Sequence, residues 1–325
     1  VARVGKLKTE WVKQVANAGG RPSSLALEAV KCIEQATEAE ERLGFCRQIA
    51  VLTKRSFVQL SRDHILFTTT LAQSLFVAVF VGLVYRDLHV SQRGIQNYVG
   101  AFYFLVLNQL YAASYPAFIG VPLELPIIKR EYNAGLYNLL AWYIAKNLSE
   151  LPLHILNPIF AFAPAYWLIG IGHGFELFLG MQLMMYLVNS CAVGIGYMIS
   201  CTVRRVELAP IIGFIVLLPF MIFSGLLVNT NDAPAYFAWI QEISPVMWGF
   251  KGFMRLFWDK VGAISCDPQL EVCSARSGRE VLRSYNMESG SATASGLYVL
   301  ALDIAFRVVG FGGLWLAVRA KKNSN

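Results

Sequence analysis

The sequence predicts an all-α membrane protein whose chain crosses the bilayer six times. Of its 325 residues, 56% are hydrophobic and only 15% are charged, whereas soluble globular domains carry about 25% charged residues. Six apolar stretches are long enough, at about 1.5 Å per helical residue, to cross a hydrocarbon core roughly 30 Å thick. They are residues 65–84, 98–119, 151–171, 177–201, 208–228 and 297–318.

The residues before the first span are expected to be cytoplasmic. Residues 1–44 indicate a linker with the remnant of an amphipathic helix. Residues 45–62 mix apolar side chains with Arg47, Lys54 and Arg55, a pattern typical of a basic helix on the membrane surface. This connecting helix would open the membrane domain, 45–325. An ordinary soluble helix is the alternative.

More lysine and arginine residues flank the predicted spans on one side of the membrane than on the other, and this difference predicts the orientation of the chain in the membrane. In multispan proteins these residues concentrate in the short cytoplasmic loops. With the N-terminus inside, ten of them fall on the cytoplasmic side and two on the other, so both termini are expected in the cytoplasm. The inner residues are Lys54, Arg55, Arg62, Lys129, Arg130, Arg204, Arg205, Arg319, Lys321 and Lys322; the outer ones are Arg86 and Arg93.

The segment 229–296 is predicted to be an external loop. Its aromatic run, 245–258, is too short to cross the membrane and carries two charges, which favours a re-entrant segment that dips into the membrane face. Cys266 and Cys273 lie close together in this loop, on the side where oxidation is permitted. We expect a disulfide between them; an intermolecular bridge is the alternative.

Residues 129–150, between the second and third spans, are too polar for lipid. They predict a short cytoplasmic helix that leads into the third span and that a soluble partner could push. A solvated connector is the alternative.

Motifs for catalysis and for nucleotide binding are missing from the sequence. It contains no GxxxxGK[ST], HExxH, CxxC or GxSxG pattern, and its four histidines are scattered. We therefore predict no catalytic site, no metal site and no ATP binding by this chain alone. The net charge of +7 is attributed to cytoplasmic loops beside anionic lipid, so nucleic acid is not expected as a partner.

One face of the second span predicts a cavity wall. Phe104, Asn108, Tyr111 and Tyr115 follow each other at helical spacing, and an asparagine in hydrocarbon needs a partner. The alternative is helix–helix packing. In the fifth span Phe214, Leu218, Met221 and Gly225 share a face, which is more often plain packing; the apolar end at Leu226 and Leu227 suggests a plug in a gated pore wall.

The sixth span contains two charges, Asp303 and Arg307, four residues apart. Side chains at this spacing share a helix face and can neutralise each other. A structural ion pair is the favoured interpretation, with a relay for protons or substrate as the alternative.

Several segments, taken in their order, resemble the transmembrane half of the ABC transporter G subfamily, the white/multidrug-resistance type. They are LTKRSFVQLSRD at 52–63, KRE at 129–131, GLYNLLAWYIAKNLSELP at 135–152, MIFSGLLVN at 221–229 and WIQEISPVMWGF at 239–250. The resemblance covers roughly residues 45–320 and implies the type-2 ABC exporter fold.

The resemblance also implies roles for individual residues. Lys129, Arg130 and Glu131 would belong to the first coupling helix. Asn108, Tyr111 and Met221 fall at cavity positions, beside Phe104 and Leu218, while Leu226 and Leu227 match the leucine plug that gates the exit. Cys266 and Cys273 resemble external loop cysteines; a third cysteine that cross-links subunits and the loop glycosylation site are absent.

Members of this subfamily export sterols, lipids or drugs through a cavity between two half-transporters. The resemblance therefore implies a homo- or heterodimer in the plasma membrane, membrane lipids and hydrophobic small molecules as ligands, and ATP and Mg²⁺ in a nucleotide-binding domain. That domain normally precedes the membrane half, so we expect it upstream of residue 1 or on another chain. Two rival functions stay open, an intramembrane lipid-modifying enzyme and a non-transporting membrane binding subunit.

Overall fold

The computed structural model describes residues 44–172, 174–203, 205–228, 235–266 and 273–319. The helix predicted before residue 44 lies outside the described residues. The helices, in chain order, are α1 (Phe45–Arg62), α2 (His64–Val84), α3 (Gln92–Asn133), α4 (Leu139–Ile169), α5 (Phe175–Thr202), α6 (Leu208–Ile222), α7 (Ala238–Glu242), α8 (Pro245–Trp258), α9 (Gly278–Ser284) and α10 (Ala292–Arg319), with a 3₁₀ turn at Ala235–Phe237. The all-α membrane fold is confirmed.

Five of these helices, α2, α3, α4, α5 and α10, are long and apolar enough to cross a membrane. The fifth predicted span is wrong at its end, because α6 stops at Ile222 instead of continuing to residue 228. Pro219 lies inside the last turn, and Gly225 has a φ of +92°, a conformation that ends helices and that glycine adopts readily. A helix of 15 residues is about 22 Å long, short of the hydrocarbon thickness.

The connection between α3 and α4 also differs from the prediction. Lys129, Arg130 and Glu131 lie near the end of α3, which is one continuous helix of 42 residues, so they do not begin a separate helix. Residues 139–150 form the first part of α4, which leads into the predicted third span. The role of residues 129–131 in coupling stays a prediction. The chain turns at Gly135, which has a φ of +76°. The Asn138 side chain then accepts a hydrogen bond from the Leu140 amide and starts α4.

The bundle is built around α5, which contacts α3, α4, α6, α8 and α10. The helix α8 packs against α3, α5 and α10, and 12 of its 14 residues are buried. Its rings contact those of α3 in tilted or edge-on geometry; the Tyr98 and Phe257 centroids are 4.7 Å apart. We call the end of the bundle that holds Arg55, Glu131 and Arg319 the basic end, and the opposite end, with residues 259–266 and 273–291, the loop end.

Gln92, at the start of α3, fastens the loop end. Its Nε2 donates to the Ala275 carbonyl at 2.7 Å, and its Oε1 accepts from the Ser274 amide at 3.0 Å and from the Ala275 amide at 3.3 Å. The structure places Cys266 and Cys273 as a disulfide with Cα atoms 6.0 Å apart, a usual separation for such a bond. Gln92 therefore binds the chain directly after this loop.

Replacing Gln92 with alanine is expected to destabilise the loop locally by about 1–3 kcal/mol, because three backbone groups lose their partner and two of them, the amide and carbonyl of Ala275, are buried. Amide hydrogen exchange over residues 273–277 measures the effect as faster exchange. Gln96→Ala is the matched control, since Gln96 is exposed one turn later in α3. Equal exchange in both variants would contradict the role of the Gln92 side chain.

Candidate functional site

A cavity of about 410 Å³ opens between α2, α3 and α6, and we call it the aromatic cleft. Rings and neutral polar groups share its wall. Its lining residues are Thr70, Gln73, Ser74, Asn108, Tyr111, Ala112, Tyr115, Pro116, Phe118, Pro210 and Phe214. Ligand sites commonly combine apolar walls with a few polar groups in this way.

The predicted residues Asn108 and Tyr111 both line the aromatic cleft. The rings of Tyr111 and Phe214 face each other across it, with centroids 6.1 Å apart and planes tilted by 35°. Tyr115 and Phe214 are more than half exposed, so the cleft is open on one side. Such a wall can stack on flat apolar molecules, while Asn108 can donate and accept hydrogen bonds.

The other predicted cavity residues lie outside the lining of the aromatic cleft. Phe104 is exposed on α3, and Leu218 is half-buried on α6. Met221 is half-buried and packs against the core, and its carbonyl accepts a hydrogen bond from the Tyr103 hydroxyl at 2.9 Å. The structure brings together two of the five predicted residues.

The predicted gate, Leu226 and Leu227, follows the end of α6 in a non-helical segment. Leu226 packs against the core and Leu227 is 56% exposed. Both lie beyond the end of α6, as a plug at the exit would require, and the gating role stays a prediction.

The contribution of α2 to the cleft was missed by the sequence reasoning. Thr70, Gln73 and Ser74 line it, and the Ser74 hydroxyl donates to Asn157 on α4. The available signal was a run of neutral polar residues, TTTLAQS at 68–74, inside an apolar span. Polar groups in a span generally face protein or a cavity.

A second cavity, of about 250 Å³, adjoins the cleft toward the basic end; we call it the acidic cavity. It shares Thr70, Ala112 and Pro116 with the cleft. Its charged wall comes from the end of α1, from α3 and from α4, and consists of Asp63, Glu124, Lys146, Glu150 and His154.

The sixth-span charges form a closed polar cluster. Arg307 Nε donates to Asp303 Oδ1 at 2.7 Å, and the Ser190 hydroxyl donates to Asp303 Oδ2 at 2.6 Å. Arg307 also donates to Asn147 and to Ser190. Because both charges find partners within the described bundle, the geometry fits a structural ion pair better than a mobile relay.

At the basic end, α1 is tied to the end of α3. The Arg55 guanidinium donates to both carboxylate oxygens of Glu131 at 3.0–3.2 Å, and the Tyr137 hydroxyl donates to Glu131 at 2.7 Å. The hydrogen bond to Glu131 raises the pKa of Arg55, and burial together with the carboxylate raises the pKa of Tyr137. The Gln48 side chain accepts from the Asn138 amide at 2.9 Å, which fastens the turn between α3 and α4.

Comparison with known proteins agrees with this architecture. The ABC-2 type transporter family matches residues 47–258. The chain is 27% identical to Protein white of Ceratitis capitata over 291 residues, which cover 89% of this chain and 43% of the relative. It is 27% identical to Protein white of Drosophila melanogaster, over 90% of this chain and 44% of that protein.

A third relative is the broad substrate specificity ATP-binding cassette transporter ABCG2 of Bos taurus, which is 30% identical over 208 residues. The match covers 64% of this chain and 32% of ABCG2. The chain therefore spans less than half the length of the relatives it matches. From the family match and the spanning helices we conclude that the chain belongs to the ABC-2 type transporter family, as the membrane half of a G-family ABC transporter.

Proposed function

We propose that the chain is the transmembrane half of an ATP-driven exporter that moves lipids, sterols or amphipathic drugs across the plasma membrane. The observation that carries this proposal is the aromatic cleft. Four rings and two amide side chains around one cavity can contact molecules of many shapes, because stacking demands little directional precision. The name of the ABCG2 relative, broad substrate specificity, fits such a wall.

The proposed transporter works as a dimer with a second half-transporter, identical or different. The open side of the aromatic cleft supports the proposal of a dimer. Phe214, Ile211 and Ile215 are exposed on α6, and Tyr115 is exposed on α3. A partner half that covers these side chains would bury an apolar surface and close the cleft over the substrate.

ATP and Mg²⁺ would bind to a nucleotide-binding domain, supplied upstream in the same chain or by another chain. The proposed contact for this domain is the basic end, where Lys129, Arg130 and the Arg55–Glu131 pair lie together. This end and both termini would then face the cytoplasm. That orientation agrees with the excess of lysine and arginine there.

In the proposed cycle, closure of the nucleotide-binding domains pushes the end of α3. The push narrows the aromatic cleft and opens the segment of Leu226 and Leu227 at the other end. Such a change is driven only if the two states differ in their affinity for substrate or nucleotide. The cleft residues therefore set which molecules couple to the cycle.

Removing the polar and aromatic groups of the cleft is expected to change substrate range. With Tyr111→Ala we expect flat aromatic dyes to be exported about 3- to 10-fold more slowly, since an aromatic contact is worth about 0.5–1.5 kcal/mol. With Asn108→Ala we expect selective loss of dyes with hydrogen-bonding groups. Efflux of a dye panel is measured in cells that express the chain with its nucleotide-binding domain.

Phe80→Ala is the matched control, because Phe80 is an exposed ring on α2 outside the cleft lining. Its dye range should equal that of the wild type. An unchanged dye range in Tyr111→Ala and Asn108→Ala, with partner binding retained, would favour a non-transporting binding subunit over an exporter.

A further inference from the structure

A third cavity, of about 830 Å³, opens between α4 and α5, and we call it the lateral groove. Its volume is within the range of about 300–1,000 Å³ that is usual for small-molecule sites. Among the described residues, none lines both the lateral groove and the aromatic cleft. The lateral groove is therefore a separate place in the bundle.

The wall of the lateral groove is largely aliphatic. Leu148, Leu151 and Ile155 follow each other at helical spacing along α4, and Leu183 lines the groove from α5. Each of these four residues is 44–58% exposed, although both helices are long and apolar enough to cross a membrane. The hydrocarbon region holds no water. The molecules that reach this wall therefore come from the lipid, and the body of a ligand here is apolar.

One end of the lateral groove is polar, because Arg307 of α10 lines it with a side chain that is 25% exposed. A guanidinium has five N–H groups. Within the part of the chain that the structure describes, Nε donates to Asp303, Nη2 donates to the carbonyl and hydroxyl oxygens of Ser190, and Nη1 donates once, to Asn147. The second N–H of Nη1 is left over beside Asn147, which also lines the groove. A ligand oxygen would satisfy this N–H, and such a bond is favourable away from water.

Charge and depth restrict the ligand to uncharged lipids. Asp303 neutralises Arg307 at a distance of 2.7 Å, so the pair offers no net positive charge to an anionic headgroup. Arg307 lies 15 residues after the start of α10 and 12 before its end, which corresponds to the middle of a spanning helix. A charged headgroup is costly at that depth, whereas a hydroxyl group with a hydrogen-bond partner is accepted there.

We propose that the lateral groove binds a long-chain lipid alcohol. The alcohol oxygen accepts a hydrogen bond from Arg307 Nη1, and the chain lies along Leu148, Leu151 and Ile155. This inference goes beyond the proposed function and does not rest on it, because a lipid can occupy the groove whether or not the protein exports a substrate through the aromatic cleft.

The test uses three photoreactive probes that carry the same diazirine in a hexadecyl chain. They are the alcohol, the corresponding alkane and a phosphatidylcholine with this chain. Each is added to the full chain in nanodiscs of unlabelled phosphatidylcholine, and after illumination the label is located by peptide mass spectrometry. In residues 143–155 and 183–190 we expect the alcohol to give about fivefold more label than either other probe, the effect of one added hydrogen bond.

The substitution Leu183→Trp fills the groove with a larger side chain. Leu183 is 58% exposed, so the variant should retain the fold. We expect labelling by the alcohol to fall to the level of the alkane. Leu179→Trp is the matched control, because Leu179 is 56% exposed one turn away on α5 and outside the groove lining. Labelling of this control should equal that of the wild type.

The substitution Arg307→Lys tests the hydrogen bond itself. Lysine keeps a positive charge beside Asp303 but lacks the planar guanidinium and its Nη1. We therefore expect the alcohol to lose its advantage over the alkane, while labelling by the alkane stays unchanged. If this variant does not fold, the three probes and Leu183→Trp still decide the question.

Equal labelling by the alcohol and the alkane in the wild type would overturn the proposal, since the groove would then hold only the chains of bulk lipid. Stronger labelling by the phosphatidylcholine than by the alcohol would overturn it in favour of an ordinary phospholipid. Equal effects of Leu183→Trp and Leu179→Trp would show that the alcohol binds outside the groove.

Discussion

Replacing Asp303 with leucine is expected to lower the free energy of unfolding by about 3 kcal/mol, because it leaves the Arg307 guanidinium, whose side chain is only 25% exposed, without its carboxylate partner. Asp303 is 8% exposed, and Arg307 donates to it at 2.7 Å. The remaining guanidinium partners, Asn147 and Ser190, are neutral and cannot replace the carboxylate. Unfolding of the chain by sodium dodecyl sulfate in mixed micelles measures the loss.

The double variant Asp303→Leu/Arg307→Leu separates charge from packing. It removes both ions, so we expect it to recover most of the lost stability. Recovery should be incomplete, because Ser190 and Asn147 lose hydrogen-bond partners. A double variant as unstable as Asp303→Leu would show that the uncompensated charge is not the cause.

Gly196→Leu is expected to destabilise the protein by about 3 kcal/mol or more, since overpacking a close helix contact shifts backbone. A Cβ atom at Gly196 would lie 2.6 Å from the Ala117 Cβ and 3.0 Å from the Ser114 carbonyl oxygen. These atoms belong to or sit directly on the α3 backbone and cannot rotate away. The two central helices, α3 and α5, must therefore move apart, which the same unfolding assay detects.

The matched control is Gly312→Leu, the same substitution in the interior of α10. Apart from its chain neighbours and its own helix backbone, no atom of the described residues lies within 4 Å of a Cβ at Gly312, and leucine forms helix better than glycine. We expect unchanged or slightly raised stability. Equal destabilisation by both substitutions would mean that the α3–α5 approach is not the critical feature of Gly196.

The fold was largely predictable, because a spanning helix needs only length and low charge, and both can be read from consecutive residues. The exceptions depend on local backbone conformation. The end of α6 at Ile222 and the turn at Gly135 depend on glycines with positive φ. The sequence shows where the glycines are but not which of them adopt this conformation. The polarity of residues 129–150 suggested a separate helix, whereas the salt bridge between Glu124 and Lys146 pairs a charge in the first part of α4 with one on α3.

The candidate site was predictable only on one helix. Asn108 and Tyr111 share a face by spacing alone, and both line the cleft. The residues opposite them, Gln73 on α2 and Phe214 on α6, are placed by tertiary packing. Helical periodicity shows which residues share a face of one helix, but it does not indicate which faces of two helices pack against each other.

The length of α3 has a mechanical consequence. A continuous helix of 42 residues is roughly 60 Å long, and its close contact with α5, at Ala117 and Gly196, lies near its midpoint. If α3 tilts as one body about this contact by about 5°, its Glu131 end moves by roughly 2 Å and its Gln92 end by roughly 3 Å. Glu131 lies at one end of α3 and Gln92 at the other, so a displacement of the basic end would be transmitted along the helix to the loop end.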